Sequence, residues 1–316
     1  MSKISVTWVG LLSAGGVLIC AATLAGFLGR FWWGFELATH FRVQYAVMLA
    51  VTSALLCRQQ QHLAGLFALF ALVNGLILAP RFLPLPIEDG QSSQARPVLR
   101  VLLANVNSAN RDAQRIRETV LASQADFVAL LEATPWLLEQ LSDLADRYPH
   151  RVAAPREDNF GIALLSRQPF LRAEVVQFST AGLPSIIAEL ADGPRHFTLV
   201  ATHPLPPVSA DLARDRNEQL ATLAAFARQS THPLLLVGDL NISPWSPHFA
   251  RLLADSGLRD SGYGISPSWP VGWLPLQIPI DHALFSAGIH IKYRKTGTDL
   301  GSDHYPIIVD FQIVAP

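Results

Sequence analysis

The first 90 residues of the chain carry almost no charge. From Met1 to Gly90 the acids are only Glu36, Glu88 and Asp89, and the bases only Lys3, Arg30, Arg42, Arg58 and Arg81. A segment this poor in charge cannot supply the polar faces of ordinary soluble helices, so it must be immersed or deeply buried. Three apolar runs stand out: residues 4–29, residues 37–57 with His40 and Arg42 confined to one end, and residues 63–80, where Asn74 is the strongly polar group. A helix rises about 1.5 Å per residue, so about 20 residues cross a hydrocarbon core of roughly 30 Å. The runs predict three transmembrane helices within residues 1–84. Trp8, Trp32, Trp33 and Tyr45 suit interfacial positions.

A cleaved signal peptide fits the first run poorly, because its apolar core is too long and no small-x-small site precedes polar chain. A soluble helical hairpin fits the other two poorly, because they lack polar faces. The reading is therefore an integral membrane protein, of the type found in a bacterial inner membrane, meeting the lipid bilayer through residues 4–80. Three spans would put Lys3 and Arg58 on one side and Arg30, Arg42, Arg81 and Arg96 on the other. That count favours a cytoplasmic domain, whereas a short N-terminus kept inside would reverse it, so the side stays open.

Residues 85–96, which run into the stretch GQSSQARP, read as a linker. Residues 97–316 have ordinary globular composition, slightly acidic, which lends no support to bulk polyanion binding. Cys20 and Cys57 both lie in the apolar segment, so a thiolate zinc site or disulfide framework in the globular part is excluded.

Apolar periodicity predicts strands at 98–104, 126–131, 160–165, 175–178, 186–190, 197–201, 234–237, 280–285 and 304–311, and helices at 111–123, 135–147, 211–228 and 247–254. One regularity dominates. Strand after strand stops at a residue able to bind a cation or move a proton: Asn105, Glu132, His203, Asp239 and Asn241 at strand C-ends, Asp281, Asp303 and His304 at or before strand starts. Such ends can gather on one rim of a sheet stack, where loops build sites.

The motif GDLN, Gly238–Asn241 after LLLV, delivers a carboxylate and an amide on one side of an extended chain, able to take a proton from water and to donate to a phosphate oxygen. Its bland reading is an Asp-rich turn. GSDH, residues 301–304, sets a carboxylate beside an imidazole, and Asp281 could fix the tautomer of a catalytic histidine. Glu132 is a hard oxygen donor suited to Mg²⁺ or Mn²⁺, or else a helix-start acid. Asn105 and His203 carry little weight singly, as a turn former and a histidine before proline.

Taken in order, RVLLANVN, ADFVALLE, FGIALLSR, VATHP, LLLVGDLN, IPIDHAL and GSDH resemble the endonuclease/exonuclease/phosphatase superfamily, the DNase-I-like fold, over residues 97–313. NISPWSP at 241–247 with Trp269-Pro270 further resembles a branch with N-terminal membrane helices. The resemblance implies an α/β chain: a four-layer αββα sandwich preceded by about three transmembrane helices, with the catalytic domain at 97–316. It implies Glu132, Asn105 and Asp303 at the metal, Mg²⁺ or Mn²⁺. Asp239 would direct the attacking water, Asn241 would hold the scissile phosphate, and His304 oriented by Asp281 would stabilise the transition state. His203 would serve the leaving group, and Asn159 would also contact phosphate. Asn107 departs from members that carry an acid there, which bears on metal occupancy.

The expectation is a membrane-anchored, metal-dependent phosphoesterase acting on nucleic acid or on a lipid or small phosphoester, with no obligate protein partner. Trp245, Trp269 and Trp273 could stack on a base, enter an interface, or simply pack their loops. A non-catalytic membrane-bound binding module on the same fold would be expected to have lost Glu132, Asp239 or His304. A transporter is disfavoured, because the runs carry no ionisable residue in their interior.

Overall fold

The computed structural model describes residues 7–83 and 97–314; the linker predicted at 85–96 lies outside them. Four helices come first: α1 (Trp8–Phe27), α2 (Trp33–Leu37), α3 (Arg42–Leu56) and α4 (Gln61–Leu78). There follow β1 (Leu99–Asn105), α5 (Ala113–Ser123), β2 (Phe127–Leu131), α6 (Pro135–Gln140), β3 (His150–Ala154), β4 (Ile162–Ser166), β5 (Arg172–Gln177), β6 (Pro184–Asp192) and β7 (Arg195–Thr202). The chain ends with α7 (Ala210–Gln229), β8 (Leu234–Asp239), α8 (Pro247–Ser256), β9 (Arg259–Asp260), β10 (Asp281–Phe285), β11 (Ile289–Thr296) and β12 (Ile307–Ile313).

The strands form two six-stranded sheets, ordered β11-β12-β1-β2-β4-β3 and β5-β6-β7-β8-β10-β9. Side chains alternate across a strand. Leu99, Val101 and Leu103 of β1 and Phe127, Ala129 and Leu131 of β2 thus face Phe197, Leu199 and Ala201 of β7 and Leu235 and Val237 of β8, in one core between the sheets. The opposite alternates pack outward. Leu102, Val128 and Leu130 meet Ile116 and Val120 of α5 and Leu137 of α6. Val200, Leu234, Leu236 and Leu284 meet Leu220 and Leu223 of α7 and Phe249 and Leu252 of α8. This is the helix–sheet–sheet–helix layering expected from sequence. The helix predicted at 135–147 ends sooner, at Gln140, and continues as a tight 3-10 turn over Ser142–Asp146. The last strand begins at Ile307 rather than His304, after Pro306, which has no N–H to give a ladder.

The N-terminal helices pack on one another. Phe67 of α4 lies against Gly16 of α1, where any Cβ would collide with the ring. Arg42 donates to Thr23 O at 3.0 Å and Asn74 Oδ1 at 3.1 Å, and Asn74 Nδ2 donates to Thr23 Oγ1 at 3.0 Å, tying α1, α3 and α4 together. Two helices, Trp8–Phe27 and Gln61–Phe82, are long and apolar enough to cross a membrane. The second expected run differs. Its helix starts at Arg42, and at 15 residues it is shorter than the 37–57 expected. The preceding residues are drawn out of the run by polar partners in the sandwich: Glu36 pairs with Arg216 at 2.5 Å and His40 Nδ1 meets Ser243 Oγ at 2.9 Å. Among the described residues, the hydrogen bonds joining helices and sandwich come from Glu36, His40, Gln44 and Arg81, all at one end of the bundle.

Candidate active site

Strand direction explains why distant residues meet. β1 and β2 run parallel with Asn105 beside Leu131, and β7 and β8 run parallel with Thr202 beside Gly238. Both pairs therefore end at a common rim. β10 runs antiparallel to β8 and sets Asp281 opposite Asp239. β12 enters beside the C-end of β1, with Ile307 opposite Leu103, which brings the 302–305 turn to the same rim. Asn105, His203, Asp239 and Asp281 each continue the inward-facing alternation of their strand past the last apolar residue. Glu132 breaks that alternation through a left-handed φ of 59°, and Asn107 (59°) and Asn241 (51°) share that rare conformation. Of four non-glycine residues with positive φ among the described residues, three thus lie at this rim, where backbone strain serves side-chain placement. Gly238 is needed for approach: a Cβ there would strike the Thr202 carbonyl oxygen.

The side chains form one connected cluster. Asn105 Nδ2 donates across the sheets, to Glu132 Oε1 at 3.0 Å and Asp239 Oδ2 at 3.2 Å. Glu132 also accepts from Ser108 N at 3.0 Å and has His203 Nε2 at 3.7 Å. His304 Nδ1 is 2.9 Å from Asp281 Oδ2, and its Nε2 is 3.6 Å from Asp239 Oδ2. Asp239 Oδ1 accepts from Asn241 N at 2.9 Å, and Asn241 Nδ2 donates to Pro204 O at 3.0 Å. Asp303 joins through Asn107 Nδ2 at 2.8 Å and Trp269 Nε1 at 3.0 Å. Asn159 Oδ1 accepts from Ser108 Oγ at 2.5 Å. Every residue given a catalytic, metal or phosphate role from sequence is in or beside this cluster, as is Trp269; Trp273 is exposed outside it. Glu132, Asn159, His203, Asp239, Asn241, Asp303 and His304 line one cavity of about 440 Å³. Asn105 and Asp281 stand behind it, bonded to residues that do.

Buried charge sets the protonation pattern. Burial lowers the affinity of His304 for its proton, but the Asp281 and Asp239 carboxylates outweigh it and raise the pKa to about 10. Burial likewise opposes the His203 proton and is outweighed by Glu132 and Asp239. Burial pushes Glu132 up, yet the nearby His203 ring and the hydrogen bonds from the Ser108 N–H and Asn105 hold it below the usual carboxylate value. Asp239 is pushed up, first by burial, against the pull of His304. Among the described residues, Asp239, Asp281 and His304 are a compact group of metal-capable ligands, with donor atoms within 4.8 Å of one another. The Asp281–His304 bond already satisfies the facing atoms of that trio. Glu132 and Asp303 also line the cavity and offer hard carboxylate oxygens of the kind that fit Mg²⁺ or Mn²⁺, while Asn105 turns its amide nitrogen toward Glu132 and its oxygen toward Asn107 N.

Charge balance makes the same point. No lysine or arginine is among the described residues lining the cavity, while Glu132, Asp239 and Asp303 all line it. A phosphoester brings further negative charge, and two imidazoles cannot offset it alone.

Some lining residues carried no sequence signal. Phe160 packs on His203 with ring centroids 5.5 Å apart. Leu37, His40 and Phe41, from the turn between α2 and α3, form part of the wall. Their sole trace in the sequence is the pair of polar residues, Glu36 and His40, at the start of an apolar run.

The sequence matches the endonuclease/exonuclease/phosphatase family over residues 102–304, and the chain belongs to that family. No curated protein matches it. Among solved structures, TDP2 of D. rerio complexed with a single-strand DNA product superimposes with a TM-score of 0.58 at 17% identity, covering 68% of this chain and 99% of that one. Sphingomyelinase C of Streptomyces griseocarneus gives 0.52 at 22% identity, covering 68% and 99%. The endonuclease/exonuclease/phosphatase from Beutenbergia cavernae gives 0.56 at 23% identity, covering 69% and 72%. These likenesses establish the fold.

Proposed function

We propose that this chain is a membrane-anchored, divalent-metal-dependent phosphodiesterase. The observation that carries the hydrolase reading is the cluster itself: a buried carboxylate, Asp239, between two histidines, in a cavity walled by further carboxylates and, among the described residues, without lysine or arginine.

Glu132 and Asp303, with Asn105 beside them, would hold the cation, whose charge neutralises the non-bridging oxygens of the substrate phosphate. Asp239, raised toward protonation by burial, is poised to accept a proton from an attacking water and to aim it. His304, protonated and fixed by Asp281, presents its Nε2 proton to the phosphate as negative charge builds. Asn241 spends one amide hydrogen on Pro204 O and keeps the other for a phosphate oxygen. His203, pinned by Glu132 and the Asp239 carbonyl, can donate a proton to the leaving oxygen. Asn159 reaches the same cavity and would add a contact to phosphate.

The anchor reading rests on the exposed apolar faces of the bundle. Only 22% of the apolar window in each of the two long helices is buried, whereas a core helix of a soluble protein is mostly buried. Leu11, Leu18, Leu24, Leu69, Leu72 and Leu76 are all exposed. Exposed apolar surface on this scale needs a partner, and lipid fits helices of this length. The short α3 would complete the bundle, its end near Gln44 lying level with the sandwich.

The test is hydrolysis of bis-p-nitrophenyl phosphate by the purified full chain with Mg²⁺, Mn²⁺ or EDTA. Activity that needs the metal and disappears in Asp239→Ala and His304→Ala is expected. Undiminished activity in both variants would remove the site assignment.

A further inference from the structure

The active-site cavity has two unlike halves. One is the carboxylate–histidine cluster. The other is apolar, and the N-terminal segment builds part of it: Leu37 and Phe41 face the same space as Phe160, Val208 and Ile278. Phosphate itself gains nothing from such a wall; a nucleobase could stack on its aromatic rings, but the aliphatic share from Leu37, Val208 and Ile278 suits an acyl chain better. Apolar surface leaving water is worth roughly 25 cal/mol per Å².

A firm attachment holds this wall in place. The Glu36 carboxylate, on the residue before Leu37, is fully buried against Arg216 at 2.5 Å and accepts from Ser246 Oγ at 2.7 Å. His40 Nδ1 accepts from Ser243 N at 3.3 Å, which puts the ring proton on Nε2. That nitrogen has no partner among the described residues, although the ring is 95% buried and lines the cavity. It is a donor available to an ester or phosphate oxygen.

A second observation links the cavity to the bilayer. Gln44 Nε2, in the first turn of α3, donates to Gln277 O at 2.9 Å. This bond fixes the 273–278 segment beside the bundle. Within that segment Trp273 and Leu274 are 67% and 76% exposed, while Ile278 faces the cavity. Exposed tryptophan and leucine beside the apolar helical bundle suit the interfacial layer of a bilayer. On the anchor reading, a lipid would approach past Trp273 and Leu274 and enter beside Ile278 and Phe41, which line the cavity.

We propose that Leu37, His40 and Phe41 form a substrate subsite for the apolar part of a membrane lipid whose phosphodiester lies at Asp239 and His304. This rests on the hydrolase reading and narrows its substrate to lipid phosphodiesters. The helices thus complete the active site as well as tethering it.

The experiment uses the purified full chain with three substrates: bis-p-nitrophenyl phosphate, mixed micelles of phosphatidylglycerol or sphingomyelin, and a single-stranded oligonucleotide. Phe41→Ser should lower kcat/KM on the lipid at least tenfold more than on the nitrophenyl diester, and Phe41→Leu should recover most of that loss. Leu37→Ser gives an independent reading should Phe41→Ser fail to fold. Equal losses on both diesters, or cleavage of the oligonucleotide and nitrophenyl diester with none of either lipid, overturns the subsite and leaves the hydrolase reading standing. No hydrolysis of any substrate with Mg²⁺ or Mn²⁺ sinks the hydrolase reading and the subsite with it.

Discussion

His304 and Asp281 form the best-defined polar pair of the site: imidazole Nδ1 and carboxylate Oδ2 lie 2.9 Å apart, and both residues are buried. The pairing fixes the ring so that Nε2 faces Asp239 at 3.6 Å and the cavity beyond. Asp281 is held below its ordinary pKa, because the His304 charge and hydrogen bond outweigh burial. It therefore acts as a permanent negative charge behind the ring. Asp281→Asn keeps the shape and removes that charge, so the protonated ring is less stable and less well oriented. We expect kcat on bis-p-nitrophenyl phosphate to fall by about 10²- to 10⁴-fold with a small change in KM. A loss confined to KM would contradict an orienting role.

Glu132 accepts from Asn105 and Ser108 and is approached by His203, but among the described residues no Lys or Arg pairs with it. Glu132→Gln removes the charge and leaves the volume. The Mg²⁺ concentration for half-maximal rate is expected to rise by about tenfold or more. EDTA should abolish activity in the parent chain, and excess Mg²⁺ should restore it. Titration of rate against free Mg²⁺ in both proteins decides whether the cation is held at Glu132 or among Asp239, Asp281 and His304, where this substitution would change affinity little.

Sequence patterning found every strand buried on both faces, and of the edge strands only β5, through Val175 and Val176. β2, β4, β8 and β10 are buried throughout and read as continuous apolar runs. The ones it missed, β3, β9 and β11, all stand at sheet edges, where one side of the ladder is open. There the residues are polar or half-exposed, as in HRVAA and IHIKYRKT, and the alternation is weak. The site itself was legible because strand ends broke from apolar to polar, at inward-facing positions for Asn105, His203, Asp239 and Asp281 and through a left-handed turn for Glu132. The join between helices and sandwich was not, because Glu36 and Arg216 lie 180 residues apart and neither has a local reason to be buried.

Glu36 and Arg216 have no solvent exposure, and their ion pair joins the α2 segment to α7. Burial works against the Arg216 charge, and Glu36 offsets it. Glu36→Gln leaves a guanidinium buried without its counter-charge, which costs about 3–5 kcal/mol. The apolar double substitution Glu36→Leu with Arg216→Met should regain much of that loss, because neither charge then needs desolvating. Denaturation midpoints of the parent, Glu36→Leu, Arg216→Met and the double variant, measured in one detergent, read the coupling. A single substitution as stable as the parent would mean that the pair is solvated.

His282 points away from the cavity, into the space between β10 and α8. Its Nε2 donates to Ile242 O at 2.7 Å, and Phe249 stacks on the ring at 4.6 Å. Burial lowers its pKa from 6.5 to about 4, more than Asp260 can offset. The folded chain therefore keeps this ring neutral where the unfolded chain protonates it. Stability from this group is intact above pH 6.5 and is lost progressively as the pH falls from 6.5 to about 4, below which it changes no further. The shift corresponds to a loss of about 3 kcal/mol across that window. Urea midpoints at pH 7.5 and pH 5 should therefore differ in the parent, and His282→Gln, which cannot gain the proton, should reduce that difference, the buried His40 ring supplying part of what remains. A pH dependence unchanged in the variant would assign the acid sensitivity to other groups.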